Sequence, residues 1–365
     1  MLNNSYLLLD TDALAANARA LQEEMRGAKL VPVLKDDAYG LGAAAAARSL
    51  MTCGIDTFAV SHVSEGLSLR EAGIGATIWV MSIPLDFQVD AAAAADLTLT
   101  LGSFRQFEVL KAASQRAGKP LPIQLKLDTG LNRIGFLPEE LPALAEHMRL
   151  SAPYLRCTGS FSHFADNCST HMDEQFMLFQ RMTEQLRALG VEPGLRHISS
   201  SASLEAAPAY NLDAVRVGRR LYMDSPTAPT GRIREVATLR AFLTDIRERK
   251  AGDTLSYAAA YRLPENATVG VLSVGYGDGL SLDLFERHAP VLVRGRRAKL
   301  LACCMDQSFV DLTGIPCQAG DEVTFFGYAE DGAYLSSQEV AGLIGANEGC
   351  ALTTALTARV ARVVK

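Results

Sequence analysis

Over its first 230 residues the chain alternates short apolar, β-branched segments with helical ones, and this alternation constrains the fold more than any other feature. An opening strand at residues 6–10 leads to a helix over 12–25, with Thr11 placed to cap it. Eight strand candidates follow, around 30–34, 57–60, 77–82, 97–102, 121–127, 155–162, 195–199 and 214–217. The clearest intervening helix is expected at 171–189. There Phe176, Phe179, Met182, Leu186 and Leu189 recur at three- and four-residue steps, and Thr170-x-x-Asp173 offers a capping box. Eight strands alternating with helices predict a (β/α)8 barrel, since an open doubly wound sheet more often has about six.

From about residue 233 the pattern changes. Strand-like segments near 235–245, 254–262, 268–274, 290–296, 298–304, 308–312, 322–326 and 357–364 are separated by Pro, Gly and Asp, with one short helix near 337–343. The expected class is α/β: a TIM-like barrel over residues 1–232 followed by a mostly β domain over 233–365. The boundary is expected in the turn-rich residues 225–231. With 365 residues, 48% hydrophobic and 21% charged, the chain can bury sizeable cores.

A net charge of −6 argues against a nucleic-acid or anionic-membrane surface. The start has no basic segment followed by an apolar one, and no stretch approaches 18 uncharged apolar residues, so a cytoplasmic protein is expected. Seven cysteines, with no Cys-x-x-Cys pair, read as reduced thiols and offer no metal site.

A barrel carries its chemistry at the C-terminal ends of its strands. Those ends hold Lys35, then Lys126-Leu-Asp128-Thr-Gly130-Leu-Asn-Arg133, then His163, His197 with Ser199-Ser200-Ser201, and Arg216-Val-Gly218. Lysine at such a mouth is partly desolvated, which lowers its pKa and suits it to bond a carbonyl carbon. The collected cations, imidazoles and small residues suit an anionic, phosphorylated ligand. Gly275-Tyr-Gly-Asp-Gly279 lacks the Gly-Lys-Ser/Thr and helix of a nucleotide loop, which excludes that reading.

On these segments the chain resembles the bacterial alanine racemase family over nearly its whole length. Leu34-Lys35-Asp-Asp-Ala-Tyr39-Gly matches the family's cofactor-lysine segment, and Lys126 to Arg133 the segment whose arginine meets the cofactor hydroxyl and substrate carboxylate. Ser162-His163, His197-Ile-Ser-Ser-Ser201, Val215-Arg216-Val-Gly218, Leu255-Ser-Tyr257, Gly275-Tyr276 and Cys304-Met305-Asp306 follow in the family's order.

The resemblance implies pyridoxal 5′-phosphate as cofactor and an isomerase that interconverts L- and D-alanine for peptidoglycan. It implies that Lys35 bonds the cofactor and serves the D-enantiomer, while Tyr257 serves the L-enantiomer with help from His163 and Arg216. Tyr39, His197, Ser201, Gly218 and Arg219 would hold the cofactor, with Arg216 at its pyridine nitrogen. Arg133, Tyr276, Met305, Asp306 and Cys350 would line the substrate. Lys126 is carbamylated in some members. Tyr257 lies in the β-rich part, and the family shares it across a head-to-tail homodimer.

Three positions depart from the family. Cys350 stands where a tyrosine is usual, which widens the space beside the substrate side chain, so a serine or broad-specificity racemase remains an alternative. Ser200 stands where Asn is common. Arg219 and Arg220 stand where hydrophobic residues are usual, either to replace the missing phosphate contact or to carry a salt bridge. A barrel-type decarboxylase is a further alternative, but such enzymes pair the pyridine nitrogen with a carboxylate. Tyr257 argues against a carrier or regulatory protein.

Overall fold

The computed structural model describes residues 3–25, 27–166, 168–206, 208–224 and 231–365, so the turn-rich stretch 225–230 lies outside the described residues. The chain divides into two compact units, one of residues 15–38 and 43–221, the other of residues 1–14, 39–42 and 222–365.

In the first unit the strands are short and buried, as expected of a sheet covered on both faces. After β1 (Ser5–Leu9), which belongs to the other unit, come β2 (Lys29–Pro32), β3 (Thr57–Val60), β4 (Thr77–Val80) and β5 (Thr98–Leu101). β6 (Leu121–Lys126), β7 (Leu155–Phe161), β8 (Leu195–His197) and β9 (Ala214–Val217) complete the series. β3 to β8 form one parallel sheet in sequence order, and β2 pairs with β9. The ring closes at both seams. Leu34 N–H donates to Ala59 C=O at 2.8 Å, and Asp213 and Arg216 N–H donate to Arg196 and Ser199 C=O. The eight expected barrel strands are thus found among the described residues, most of them within two residues of their expected bounds. Packing inside includes Val31, Ala59, Trp79 and Ala214.

The second unit is antiparallel. β10 (Ala237–Arg249) is 13 residues long and pairs with β1, with β13 (Ala267–Leu272) and with β17 (Glu322–Tyr328). Between β10 and β13 lies the small hairpin β11 (Thr254–Leu255) and β12 (Tyr261–Arg262). β14 (Pro290–Val293), β15 (Arg296–Cys303) and β16 (Ser308–Asp311) link β17 to β13, so six strands close on themselves and leave few open edges. β18 (Tyr334–Leu335) pairs with β17, and β19 (Ala361–Val364) runs parallel to β1.

Several local expectations are corrected. Asp10, not Thr11, caps the first helix, its Oδ1 accepting Ala13 N–H at 2.9 Å, while the Thr11 hydroxyl donates to Lys365 C=O. The helix Ser169–Ala188 starts ahead of Thr170, so the expected capping box does not form. Asp173 instead accepts from the Tyr210 hydroxyl at 2.9 Å. Phe179, Met182 and Leu186 are buried as expected, whereas Leu189 is exposed. The helix Ser337–Leu343 falls where expected, with Ser336 accepting Gln338 N–H, but Asp283–Glu286 and Cys350–Ala355 are helical too.

The largest surprise follows Lys35. Asp36, Asp37, Ala38 and Tyr39 have φ between +53° and +58°, so the turn that follows Lys35 is left-handed.

Candidate active site

The barrel interior turns polar toward the C-terminal ends of its strands. Side chains alternate along a strand, so Gln124 and Lys126 of β6 share the inward face. In register, Lys126 lies beside Phe161 of β7, and Phe161 beside His197 of β8. Val31 of β2 lies opposite Arg216 of β9, and Val33 N–H donates to Val217 C=O at 2.8 Å. Lys35 therefore emerges at the same end as Gly218 and Ser201, on adjoining strands.

Arg216 organises this end. Its Nη1 donates to His197 Nδ1 at 2.6 Å and to His197 C=O at 3.1 Å. Nη2 donates to Ser162 C=O at 2.8 Å and meets His163 Nδ1 and Ile198 C=O, each at 3.1 Å. Burial and the neighbouring Arg133 lower the Arg216 pKa to about 9, which leaves it cationic at neutral pH.

The imidazoles respond to that cation. Burial first, then Arg216, push His163 down to about 3, with Arg133, Lys126 and Lys35 adding to the effect. His197 is pushed well below its ordinary value by burial, Arg216 and Lys126. Both rings are neutral at physiological pH. Lys126 is 1% exposed, donates to Leu127 C=O at 2.8 Å, and is lowered by burial to about 7.

Around these groups the loops are held by short backbone contacts. Asp128 Oδ1 accepts Gly130 and Asn132 N–H, which fixes the loop that carries Arg133. Gly218 N–H donates to Ser201 Oγ at 3.2 Å, and Arg220 N–H reaches the same oxygen at 3.5 Å. The left-handed turn is anchored by Glu65, which accepts from Asp36 N–H at 2.5 Å and from Ser61 and His62 N–H. Asp37 Oδ1 accepts Ala43 N–H at 2.7 Å.

In the other unit three segments lie side by side. Ser256 Oγ donates to Cys303 C=O at 2.6 Å. Tyr276 N–H donates to Cys304 C=O, and Gly277 N–H to Met305 C=O at 2.7 Å. Tyr257, Tyr276 and Met305 stand on this cluster and are 76%, 41% and 57% exposed; Asp306 is exposed with them. Tyr257 is presented by a strained turn, with Ser256, Ala258 and Ala259 all at positive φ. Buried Asp278 braces the cluster by accepting Gly275 N–H and Arg359 Nε–H. Tyr39 packs on Tyr222, ring centroids 5.3 Å apart.

Two family models divide the chain between them. Residues 9–226 match the alanine racemase N-terminal domain and 236–364 its C-terminal domain. The alanine racemase of Desulfosudis oleivorans is 32% identical over 99% of this chain and 96% of its own length. The chain belongs to the alanine racemase family. The Mycobacterium ulcerans alanine racemase is 33% identical, covering 93% of the chain and 89% of the relative. Among solved structures, the alanine racemase of Clostridium difficile 630 has a TM-score of 0.93 at 26% identity, covering 100% and 96% of the two chains. That of Streptomyces coelicolor A3(2) has 0.89 at 31%, covering 99% and 98%.

Against the alanine racemase pattern, the unusual Arg220 has a structural explanation. It is 1% exposed and forms a bidentate pair with Glu24 at 2.9 and 3.0 Å. Arg219 is buried beside it. Cys350 begins the helix Cys350–Ala355 with its thiol 3.5 Å from Glu348 Oε2, and its carbonyl accepts from the Thr353 and Thr354 hydroxyls. Sequence reasoning missed Gln124, Glu65 and Asp278. Gln124 alone carried a signal, since it lies two residues before Lys126 on an otherwise apolar strand.

Proposed function

We propose that this chain racemises alanine with pyridoxal 5′-phosphate, Lys35 and Tyr257 serving as the two proton carriers. The observation that carries the reading is Arg216, a buried cation gripped by two neutral imidazoles at the strand ends that also present Lys35.

The residues present fit the cofactor. Lys35 after β2, Ser201 after β8 and Gly218 after β9 occupy neighbouring positions on one rim, so an amine for the aldehyde and N–H and O–H donors for the phosphate lie together. Tyr39 and Arg219 would add to the phosphate side, while His197, wholly buried with both ring nitrogens engaged, would act through Arg216 and not by touching the ring. When bound, the cofactor supplies an electron sink that acidifies the substrate Cα–H.

The protein supplies orientation and proton transfer. The four Nη hydrogens of Arg216 are engaged by His197, His163 and backbone carbonyls, which leaves Nε–H as the donor for the pyridine nitrogen. Because guanidinium keeps its proton, Arg216 would leave a pyridine nitrogen facing it unprotonated, which would favour proton exchange over transamination. His163 takes Arg216 on Nδ1, so its own proton sits on Nε2, where it would be available to the phenol oxygen of Tyr257 from a second copy and would favour the phenolate. Arg133 would fix the substrate carboxylate, with Tyr276, Met305, Asp306 and Cys350 around the rest.

Lys126 is proposed to be carbamylated. With its pKa near 7 much of the amine is neutral, and its nitrogen can bond the carbon of CO2 while a proton leaves to solvent. The product would be an anion among Arg133 and Arg216. Intact mass under bicarbonate should show the increment of one CO2, absent in Lys126→Ala.

The exposed cluster of Tyr257, Tyr276 and Met305 supports a head-to-tail homodimer in which a second copy covers these side chains. The division of labour would follow residues 1–232 and 233–365. No helix among the described residues is long and apolar enough to cross a membrane, which accords with a proposed cytoplasmic role supplying D-alanine for peptidoglycan.

Cys350 favours serine as a second reading, because its side chain is smaller than the phenol usual there. A panel of L-amino acids, followed by D-enantiomer formation, tests both. Turnover of alanine is expected; turnover of serine at a comparable rate would favour the broader enzyme, and CO2 release without inversion would overturn the assignment.

A further inference from the structure

We propose that Gln124 is a positioning residue whose amide oxygen takes the Nε2 proton of a neutral His197, leaving Nδ1 of that ring as an acceptor for Arg216. His197 is wholly buried and sandwiched between Trp79 and Phe161, with centroids 4.7 and 5.3 Å away. Its Nε2 lies 3.0 Å from Gln124 Oε1, and its Nδ1 lies 2.6 Å from Arg216 Nη1, which can only donate. A neutral ring has one N–H, so the proton belongs on Nε2.

The amide itself cannot turn freely. Thr158 Oγ1 gives its single hydrogen to Ile123 C=O at 2.9 Å, so it accepts from Gln124 Nε2 at 3.0 Å. The carbonyl end must therefore face His197. Gly159, opposite Gln124 in register, leaves the room: a Cβ there would lie 2.3 Å from Gln124 Oε1 and 2.6 Å from Leu195 O.

One direction of hydrogen bonding thus runs through the network. The imidazole presents a lone pair to Nη1, and Nη2 donates to His163 Nδ1 at 3.1 Å, which places the His163 proton on Nε2.

Neutrality at position 124 matters as much as geometry. The charged groups that face His197 are Arg216 from β9, which is cationic, and Lys126 from β6, whose amine is only partly protonated near neutral pH and would become an anion on the proposed carbamylation, while Trp79, Phe161 and Gln124 are neutral. A carboxylate at 124 would stabilise the imidazolium. Nδ1 would then carry a proton toward Nη1, and the grip on Arg216 would be lost.

The kinetic consequence rests on the proposed roles of Arg216 and His163; the tautomer does not. The test is nitrogen NMR of the holoenzyme labelled with 15N-histidine, the His197 signals assigned by their loss in His197→Gln. Wild type should show Nε2–H and bare Nδ1, unchanged between about pH 6 and 8. Gln124→Glu should show imidazolium at the acid end, with kcat falling there, recovering as pH rises, and KM changing less. Thr158→Val should release the amide, populate the Nδ1–H tautomer and lower kcat about tenfold. Nδ1–H or imidazolium in the wild type would overturn the proposal, as would both variants keeping the wild-type spectrum and pH profile. The expected tautomer in a protein without racemase activity would uphold Gln124's role and overturn the proposed function.

Discussion

At the scale of single residues, the barrel mouth concentrates positive charge and then denies its histidines any share of it. Burial first, and then Arg216, Arg133, Lys126 and Lys35, bring the His163 pKa down to about 3. Unfolding returns buried His197 and half-buried His163 to an ordinary value near 6.5. The unfolded chain therefore binds more protons than the native one below that value, and stability is lost as pH falls through it. Exposed His171, raised by Asp166, works in the opposite direction. Urea unfolding between about pH 6.5 and 5 should show a loss of about 1.4 kcal/mol per pH unit for each of His163 and His197. His197→Gln should roughly halve that slope, and a flat profile would contradict the buried, neutral assignment. The cationic residues were legible because each stands at the end of an apolar strand. Gln124 left only a faint trace, a polar residue on an otherwise apolar strand, because an uncharged side chain gains its importance from what the neighbouring strands place against it.

At the scale of elements, the strands were legible and the turns were not. Apolar runs bounded by turn residues found all eight barrel strands, since burial on both faces leaves a plain hydrophobic record. The handedness of the segment after Lys35 was not legible, because nothing in Asp-Asp-Ala-Tyr marks the left-handed φ that the chain adopts at all four residues. Such geometry costs roughly 1–2 kcal/mol per residue, so tertiary contacts must hold it, among them Glu65 and Asp37. Gly40 ends the turn at φ +83°, where a Cβ would lie 2.2 Å from Thr353 O. Gly40→Ala should lower unfolding free energy by about 2 kcal/mol or more, measured by denaturant titration. A change within ±0.5 kcal/mol, the range of about any surface substitution, would show that the turn relaxes easily. The hairpin carrying Tyr257 misled. A single strand over 254–262 was expected, but it breaks at 257–259 so that the phenol stands out.

At the scale of the molecule, the two-part organisation was legible from the change in periodicity near residue 233. The destination of β1 was not, because a strand's own sequence does not name its partners: it pairs with β10 and β19 of the β-rich unit. The exposed cluster around Tyr257 makes the proposed dimer part of the chemistry. Lys35→Ala and Tyr257→Phe variants, each impaired alone, should regain activity when mixed and re-equilibrated, since one site of each heterodimer is intact. No recovery from a mixture shown to exchange subunits would contradict shared sites.

The two-carrier claim has its own direct readout in the holoenzyme of Tyr257→Phe, given alanine deuterated at Cα. If Lys35 serves the D-enantiomer and Tyr257 the L-enantiomer, D-alanine should still lose its deuterium to water while L-alanine retains it and racemisation falls by about 10²–10⁴-fold. Equal loss of label from both enantiomers, or unchanged racemisation, would contradict it.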